Sequence, residues 1–270
     1  MSTRRDFLAA ALAAPAFAAK GDKVKAPFKL GVATYSLRKL SRADAIAGIK
    51  KMGVQYVSIK EFHLRYTSTP EELAAGAKEF RDAGITILSG GNIGLSESGE
   101  AKLRRYFDYA KGAGMPMMVC APTHETLPIV HKLVKEYNIK AAIHNHGPED
   151  RHFPSPQSVL EAIKGFDPRV GLCIDIGHTA RTGVDVVDSI KLAGTRLLDM
   201  HVKDLKDLKD KDSQCAVGEG AMPMREIFAT LKKMNYRGGC MLEYEIKPDD
   251  PVPGMIQSFA YMRKLLGGES

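Results

Sequence analysis

The sequence predicts an α/β fold: a (β/α)8 TIM barrel in a single domain. Three observations predict it. Eight short apolar, β-branched runs recur along the chain, helical patterns separate them, and the repeat averages about 31 residues, the size of a βαβ step. Strands that alternate with helices pair in parallel, and eight units in roughly 250 residues suit closure into a barrel. An open doubly wound sheet would carry a glycine-rich fingerprint after its first strand, and "ATYSLRKLSR" has none.

The strand-like runs are "KLGVATYSL" (29–37), "YVSIKEF" (56–62), "ITILSGG" (85–91) and "MPMMVCA" (115–121), then "KAAIHNH" (140–146), "RVGLCIDIG" (169–177), "RLLDMHVKD" (196–204) and "GCMLEYE" (239–245). Their length and bounding residues are those of buried strands. Between the second and third, "TPEELAAGAKEFRDAG" (69–84) opens with a Thr cap, Pro at the first helical position and an acidic first turn. It stops at Gly84, as a helix ending on a left-handed glycine does. "MREIFATLKKM" (224–234) places apolar residues at helical spacing, which reads as a barrel-facing helix. The glycines of "GGNIG" (90–94) make no dinucleotide fingerprint and are expected to turn the backbone at the rim.

The first residues, "MSTRRDFLAAALAAPAFAAK", stand apart. Arg4 and Arg5 precede an alanine-rich run ending in Ala16-Phe17-Ala18, a small-x-small cleavage site. Residues 1–18 are read as a twin-arginine signal peptide, 19–27 as a linker and 28–268 as the barrel. The apolar run is short for a bilayer span. A periplasmic or secreted protein with no stable membrane insertion after cleavage is therefore expected. A net charge of +7, spread without a Lys/Arg block, argues against a nucleic-acid partner. Of the four cysteines, Cys120, Cys173 and Cys240 sit in strand-like runs and Cys215 in a polar loop. Neither a disulfide framework nor a zinc knuckle fits that spacing, so buried free thiols are expected. Oligomeric state is not readable.

Seven of the eight histidines fall at a strand's C-terminal end or in the loop after it, where a barrel of this kind does its chemistry; His131 alone falls within a helix. Strand alternation puts His144 and His146 on one face, as it does His201 with Lys203 and Glu243 with Glu245. With Asp175 ending the sixth run, four consecutive strands deliver His144, Asp175, His201 and Glu243 to one mouth. Such a cluster is costly without a cation. Two nitrogens and two carboxylates suit one divalent ion, Mn, Co, Fe or Zn in preference to Mg.

The motifs "IHNHG" (143–147), "DIGHTARTGVD" (175–185), "HVKD" (201–204), "GEG" (218–220) and "LEYE" (242–245) together resemble the xylose isomerase-like TIM-barrel family of sugar isomerases and epimerases, inosose dehydratases and endonuclease IV. The resemblance covers almost all of the chain past the leader. It implies metal ligands at Asp175, His201, Glu243 and position 144. Sugar epimerases of the family usually carry Glu at that last point, and two metal-bound glutamates shuttle protons on opposite faces of the substrate. Here the residue is His144, and the H-x-H-G run is closer to the inosose dehydratase branch. One carboxylate fewer leaves the shell less negative and the metal a stronger Lewis acid.

The expected chemistry is removal of a proton next to a sugar carbonyl. Glu243 or Glu245 is the candidate base; Glu245 is favoured because metal binding weakens a carboxylate as a base. His146 is either the opposite-face acid or base, or the orienter of His144. Lys60, His63, His178, Arg181 and Lys203 are the candidate substrate contacts; Asn92 and Glu219 are secondary ones. For Lys203 a bland pairing with Asp204 stays open, as does a surface or capping role for Arg181. The leading function is a metal-dependent sugar isomerase or epimerase acting on a small carbohydrate such as a keto-sugar. A keto-sugar dehydratase or 3-keto-glycoside lyase could use the same site. A non-catalytic sugar-binding barrel and an abasic-site endonuclease are the remaining alternatives.

Overall fold

In the computed structural model, which describes residues 28–267, strands and helices alternate around a closed barrel. The expected signal peptide (1–18) and linker (19–27) lie outside the described residues. The strands are β1 (Lys29–Ala33), β2 (Tyr56–Ile59), β3 (Thr86–Leu95), β4 (Met117–Pro122), β5 (Lys140–His144), β6 (Val170–Asp175) and β7 (Leu197–Val202). Two short strands, β8 (Asp204–Leu205) and β9 (Gln214–Cys215), pair antiparallel outside the barrel, and β10 (Gly239–Leu242) completes it. The ring runs β1-β10-β7-β6-β5-β4-β3-β2, every pair parallel. The helices are α1 (Arg42–Met52), α2 (Pro70–Asp82), α3 (Glu100–Gly112), α4 (Leu127–Tyr137), α5 (Pro156–Ala162), α6 (Ile176–Arg181), α7 (Val186–Ala193), α8 (Met224–Lys233) and α9 (Val252–Leu265).

Local chemistry accounts for the boundaries. Thr69 caps α2 in a capping box with Glu72, and the chain turns away at Gly84, which sits at φ +77°. On α8, Met224, Ile227, Phe228 and Leu231 are buried against the barrel, with Phe228 edge-on to Phe28 at 5.3 Å. Each such side chain contributes roughly 1.5–3 kcal/mol by leaving water. The main core lies between strands and helices. A smaller apolar cluster of Met117, Val119, Ala142 and Cys173 shares strand parity with His144 and Asp175 and fills the barrel beneath them. All four cysteines are free and buried.

Three sequence expectations shift. "GGNIG" does not turn at the rim; it continues β3, whose pairing with β4 shifts register between Gly90 and Ile93. The reason is close approach: a Cβ on Gly91 would stand 2.1 Å from the Val119 carbonyl oxygen. β1 ends early because Thr34–Leu37 coil into a 3-10 turn. Cys215 lies not in a polar loop but in β9, paired with Asp204. Among the described residues, no helix is long and apolar enough to cross a membrane.

Candidate metal centre

Four neighbouring strands project one donor each into the mouth. Asp175 pairs in register with His201, His201 with Met241, and the Glu243 N–H donates to the Val202 carbonyl. His144, Asp175, His201 and Glu243 therefore stand at one level. All four are buried, and one ligating atom from each lies within 4.8 Å of all the others. His144 Nε2 is 3.0 Å from His201 Nδ1 and 3.6 Å from Asp175 Oδ2, and His201 Nδ1 is 3.2 Å from Glu243 Oε2. These are the separations of adjacent donors around one ion held by bonds of about 2.0–2.2 Å. Asp175 Oδ2, wholly buried, accepts no hydrogen bond although the Lys203 ammonium lies 3.0 Å away. The donor set fits a divalent metal ion.

The surrounding residues hold the donors in place. Asp175 divides its two oxygens: Oδ1 accepts from the His178 N–H at 2.8 Å, capping α6, and Oδ2 faces the other donors. Asn145, between the two histidines of the H-x-H run, accepts from the Asp175 N–H and donates to its carbonyl and to Thr179. Gln214 of β9 donates to the Glu243 carbonyl at 2.7 Å and accepts from the Glu245 N–H at 2.8 Å, bracketing both glutamates. Asp204 does not pair with Lys203. Its carboxylate accepts from the N–H groups of Gly218, Gly220 and Met222, which ties the "GEG" loop to the end of β7.

Lys203 instead enters the mouth. Its ammonium lies 2.8 Å from Glu243, 2.7 Å from Glu245 and 3.0 Å from Asp175. A Cβ at Gly177 would stand 2.6 Å from Lys203 Cγ, so only glycine leaves room for its stem. Three carboxylates facing one ammonium leave two net negative charges, the balance for a divalent cation.

The electrostatics follow. Burial, reinforced by His146 and His201 and only partly opposed by Asp175, pushes His144 down to about 3, leaving a neutral lone-pair donor. Burial also lowers His201, but Glu243 and Asp175 outweigh it and raise the imidazole. Burial would raise Asp175 and Glu243; Lys203 with His178 at the first, and His201 with Lys203 at the second, hold both below the usual carboxylate range. Burial opposes the Lys203 charge, and the three carboxylates outweigh it. One layer down, burial lifts Asp199 to about 6, while Ser89 donates to it at 2.9 Å.

A cavity of about 210 Å³ opens above the donors, lined by Tyr35, Lys60, Asn92, His146, His178 and Glu245 beside His144 and Glu243. His146 is held by Asn92 at 2.7 Å and by Asp150 at 3.3 Å, its ring centroid 4.4 Å from that of His144. Lys60 donates to the Asn92 carbonyl and pairs with Glu61. Three expected contacts lie elsewhere. Arg181 is bound to Glu149 and His178 and does not line the cavity; it positions His178. His63 lines a separate cavity behind the loop that follows β2. Glu219 bonds to Gln257, away from the mouth. Sequence reasoning passed over Tyr35, Asn145 and Gln214. Asn145 offered a signal, a buried amide between two ligand-type residues; Gln214 offered none, because it acts through backbone atoms across a hairpin.

Residues 46–265 match the model of the xylose isomerase-like TIM barrel. The chain belongs to that family. It is 27% identical over 155 residues to the inosose dehydratase of Mesomycoplasma hyopneumoniae, covering 50% of this chain and 51% of that one. The chain spans at most about half the length of the curated relatives it matches. Among solved structures, the IolI protein with a bound zinc atom superposes with a TM-score of 0.72 at 16% identity, covering 89% of this chain and 98% of that one. A D-psicose 3-epimerase determined in the presence of D-fructose superposes with a TM-score of 0.71 at 18% identity, covering 89% and 100%. At these identities the two likenesses speak for the fold.

Proposed function

We propose that this protein is a divalent-metal-dependent enzyme that isomerises or epimerises a keto-sugar or related carbohydrate by removing a proton next to a carbonyl. The observation that carries the reading is the buried two-histidine, two-carboxylate cluster at the C-terminal mouth, with further acid–base groups above it. An ion held by His144, Asp175, His201 and Glu243 would stabilise negative charge developing on the carbonyl oxygen. Glu245, outside that set and 40% exposed at its side chain, takes the proton. Lys203 hydrogen-bonds Glu245 and fixes its orientation. His146, held by Asn92 and Asp150, returns a proton from another side. Lys60 and His178 bind substrate oxygens.

Elimination is the second reading, as a keto-sugar dehydratase or 3-keto-glycoside lyase. Two features favour it: His144 stands where a proton-shuttling glutamate would, and a matched relative is an inosose dehydratase. Bound metal should be measured on the purified protein, and keto-sugars and keto-glycosides incubated with it in deuterated water. Deuterium gain alone identifies isomerisation or epimerisation, and expulsion of water or aglycone identifies a lyase. No metal, with activity unaffected by Asp175→Ala, would overturn both. We also propose export by the twin-arginine route; replacing Arg4 and Arg5 by Lys should retain the protein in the cytoplasm.

A further inference from the structure

His63 is one of the expected contacts that the mouth does not use. It lies with Arg42, Phe62, Arg65, Thr67 and Ser68 around a second cavity of about 490 Å³, larger than the mouth. His63 is 2% exposed, and both ring nitrogens are buried without a hydrogen bond, so it contributes to the wall by its carbon face and by its carbonyl, which seats Arg42. The Leu37 and Leu40 carbonyls are its polar neighbours, without hydrogen-bond geometry.

Arg42 is seated by design of the backbone. A Cβ on Gly76 of α2 would stand 2.5 Å from its Nη1. Both Glu79 oxygens accept from its Nε and Nη2 at 2.9 Å, and the His63 carbonyl accepts from Nη1 at 3.1 Å. Three of five guanidinium donors are used, so two remain. Phe62 is one of two large hydrophobic side chains exposed among the described residues, at 49%. Its ring centroid lies 6.1 Å from that of Tyr35, which lines the mouth, so the two cavities share an aromatic wall.

The chemistry of this lining discriminates between ligands. Arg42 and Arg65 are balanced by Glu79 and by Glu72, which also faces the cavity. The Thr67 and Ser68 hydroxyls on the lining both donate and accept. An oxyanion would need surplus positive charge and donors alone. A neutral polyol needs this mixture, with an aromatic face for its C–H side.

We propose that this cavity is a second carbohydrate subsite, holding a neutral sugar ring whose neighbour occupies the mouth. Resting on the carbohydrate reading of the mouth, the substrate class then narrows from a free sugar to a glycoside of at least two rings. Calorimetric titration of the purified protein with glucose, maltose, cellobiose, trehalose, sucrose and inorganic phosphate tests it. At least one disaccharide should bind about tenfold more tightly than glucose, and Phe62→Ala, at an exposed position, should abolish the preference. Arg65→Ala should weaken it. The subsite is overturned if no disaccharide exceeds glucose, if the preference survives in Phe62→Ala, or if phosphate is the ligand that Arg65→Ala releases. Deuterium exchange into keto-sugars, run in parallel, separates the two readings. Exchange without disaccharide preference sinks the subsite alone; Phe62-dependent disaccharide binding without exchange sinks the mouth chemistry alone.

Discussion

The two halves of the barrel end their strands in different chemistry. β5, β6, β7 and β10 bring up His144, Asp175, His201 and Glu243, all buried and converging. β1, β2 and β3 bring up Thr34, Ser58, Lys60 and Asn92, with one charge among them and, among the described residues, no metal-ligand set. The contrast lies in how each side chain is supported. In the second half the two carboxylates are bracketed by neighbours, Asn145 for Asp175, Gln214 for Glu243 and Lys203 for both, while His144 Nδ1 and His201 Nε2 are buried without partners. In the first half the Ser58 hydroxyl and the Asn92 side-chain carbonyl are buried without partners, and Lys60 reaches across to the Asn92 backbone. One half gathers four donors that could hold a metal ion, and the other brings Lys60 and Asn92 to the wall of the cavity.

That division can be broken experimentally. The largest effect belongs to Asp175→Ala, which should lower turnover by about a thousandfold and remove stoichiometric metal, read by rate assay and metal analysis. Lys203→Met should destabilise the metal-free protein by about 4 kcal/mol, because it strands buried carboxylates, and zinc should restore much of the loss in urea denaturation. Asp199 gives the pH arm. Its folded value of about 6 lies above that of an unfolded aspartate, so its contribution is complete below about pH 4 and is lost as pH rises through 6. Asp199→Asn should therefore narrow the stability gap between pH 4 and pH 8 by up to about 3 kcal/mol in the metal-free protein. Smallest is Lys60→Ala, with KM raised about tenfold at unchanged metal content. A fall in metal content there would mean that the halves are not separate.

The fold was legible because period and punctuation agree. Eight apolar runs sit where eight strands form, and the Thr69 cap and Gly84 stop bound α2 as expected. Strand ends were less so. Asp175 closes β6 by capping α6, and an apolar run cannot show where its last residue turns to cap a helix. "GGNIG" misled because glycine serves both a turn and a close strand approach, and only the Val119 carbonyl distinguishes them. For the site, strand parity carried the donors. It could not carry His63, whose loop folds outward after β2, nor Arg181, whose charge Glu149 absorbs. Sequence spacing tells which face a strand residue takes, and it is silent once the chain leaves the strand.

The Lys203 ammonium also bears on the order of assembly. Many small metalloproteins cannot complete their fold until the ion arrives, because like-charged ligands repel one another. Here the chain brings its own cation to the same carboxylates, packed into a gap that Gly177 keeps open. Were an ion to bind His144, Asp175, His201 and Glu243, the carboxylates would already be gathered by the Lys203 ammonium, so the barrel would not depend on that ion to bring them together.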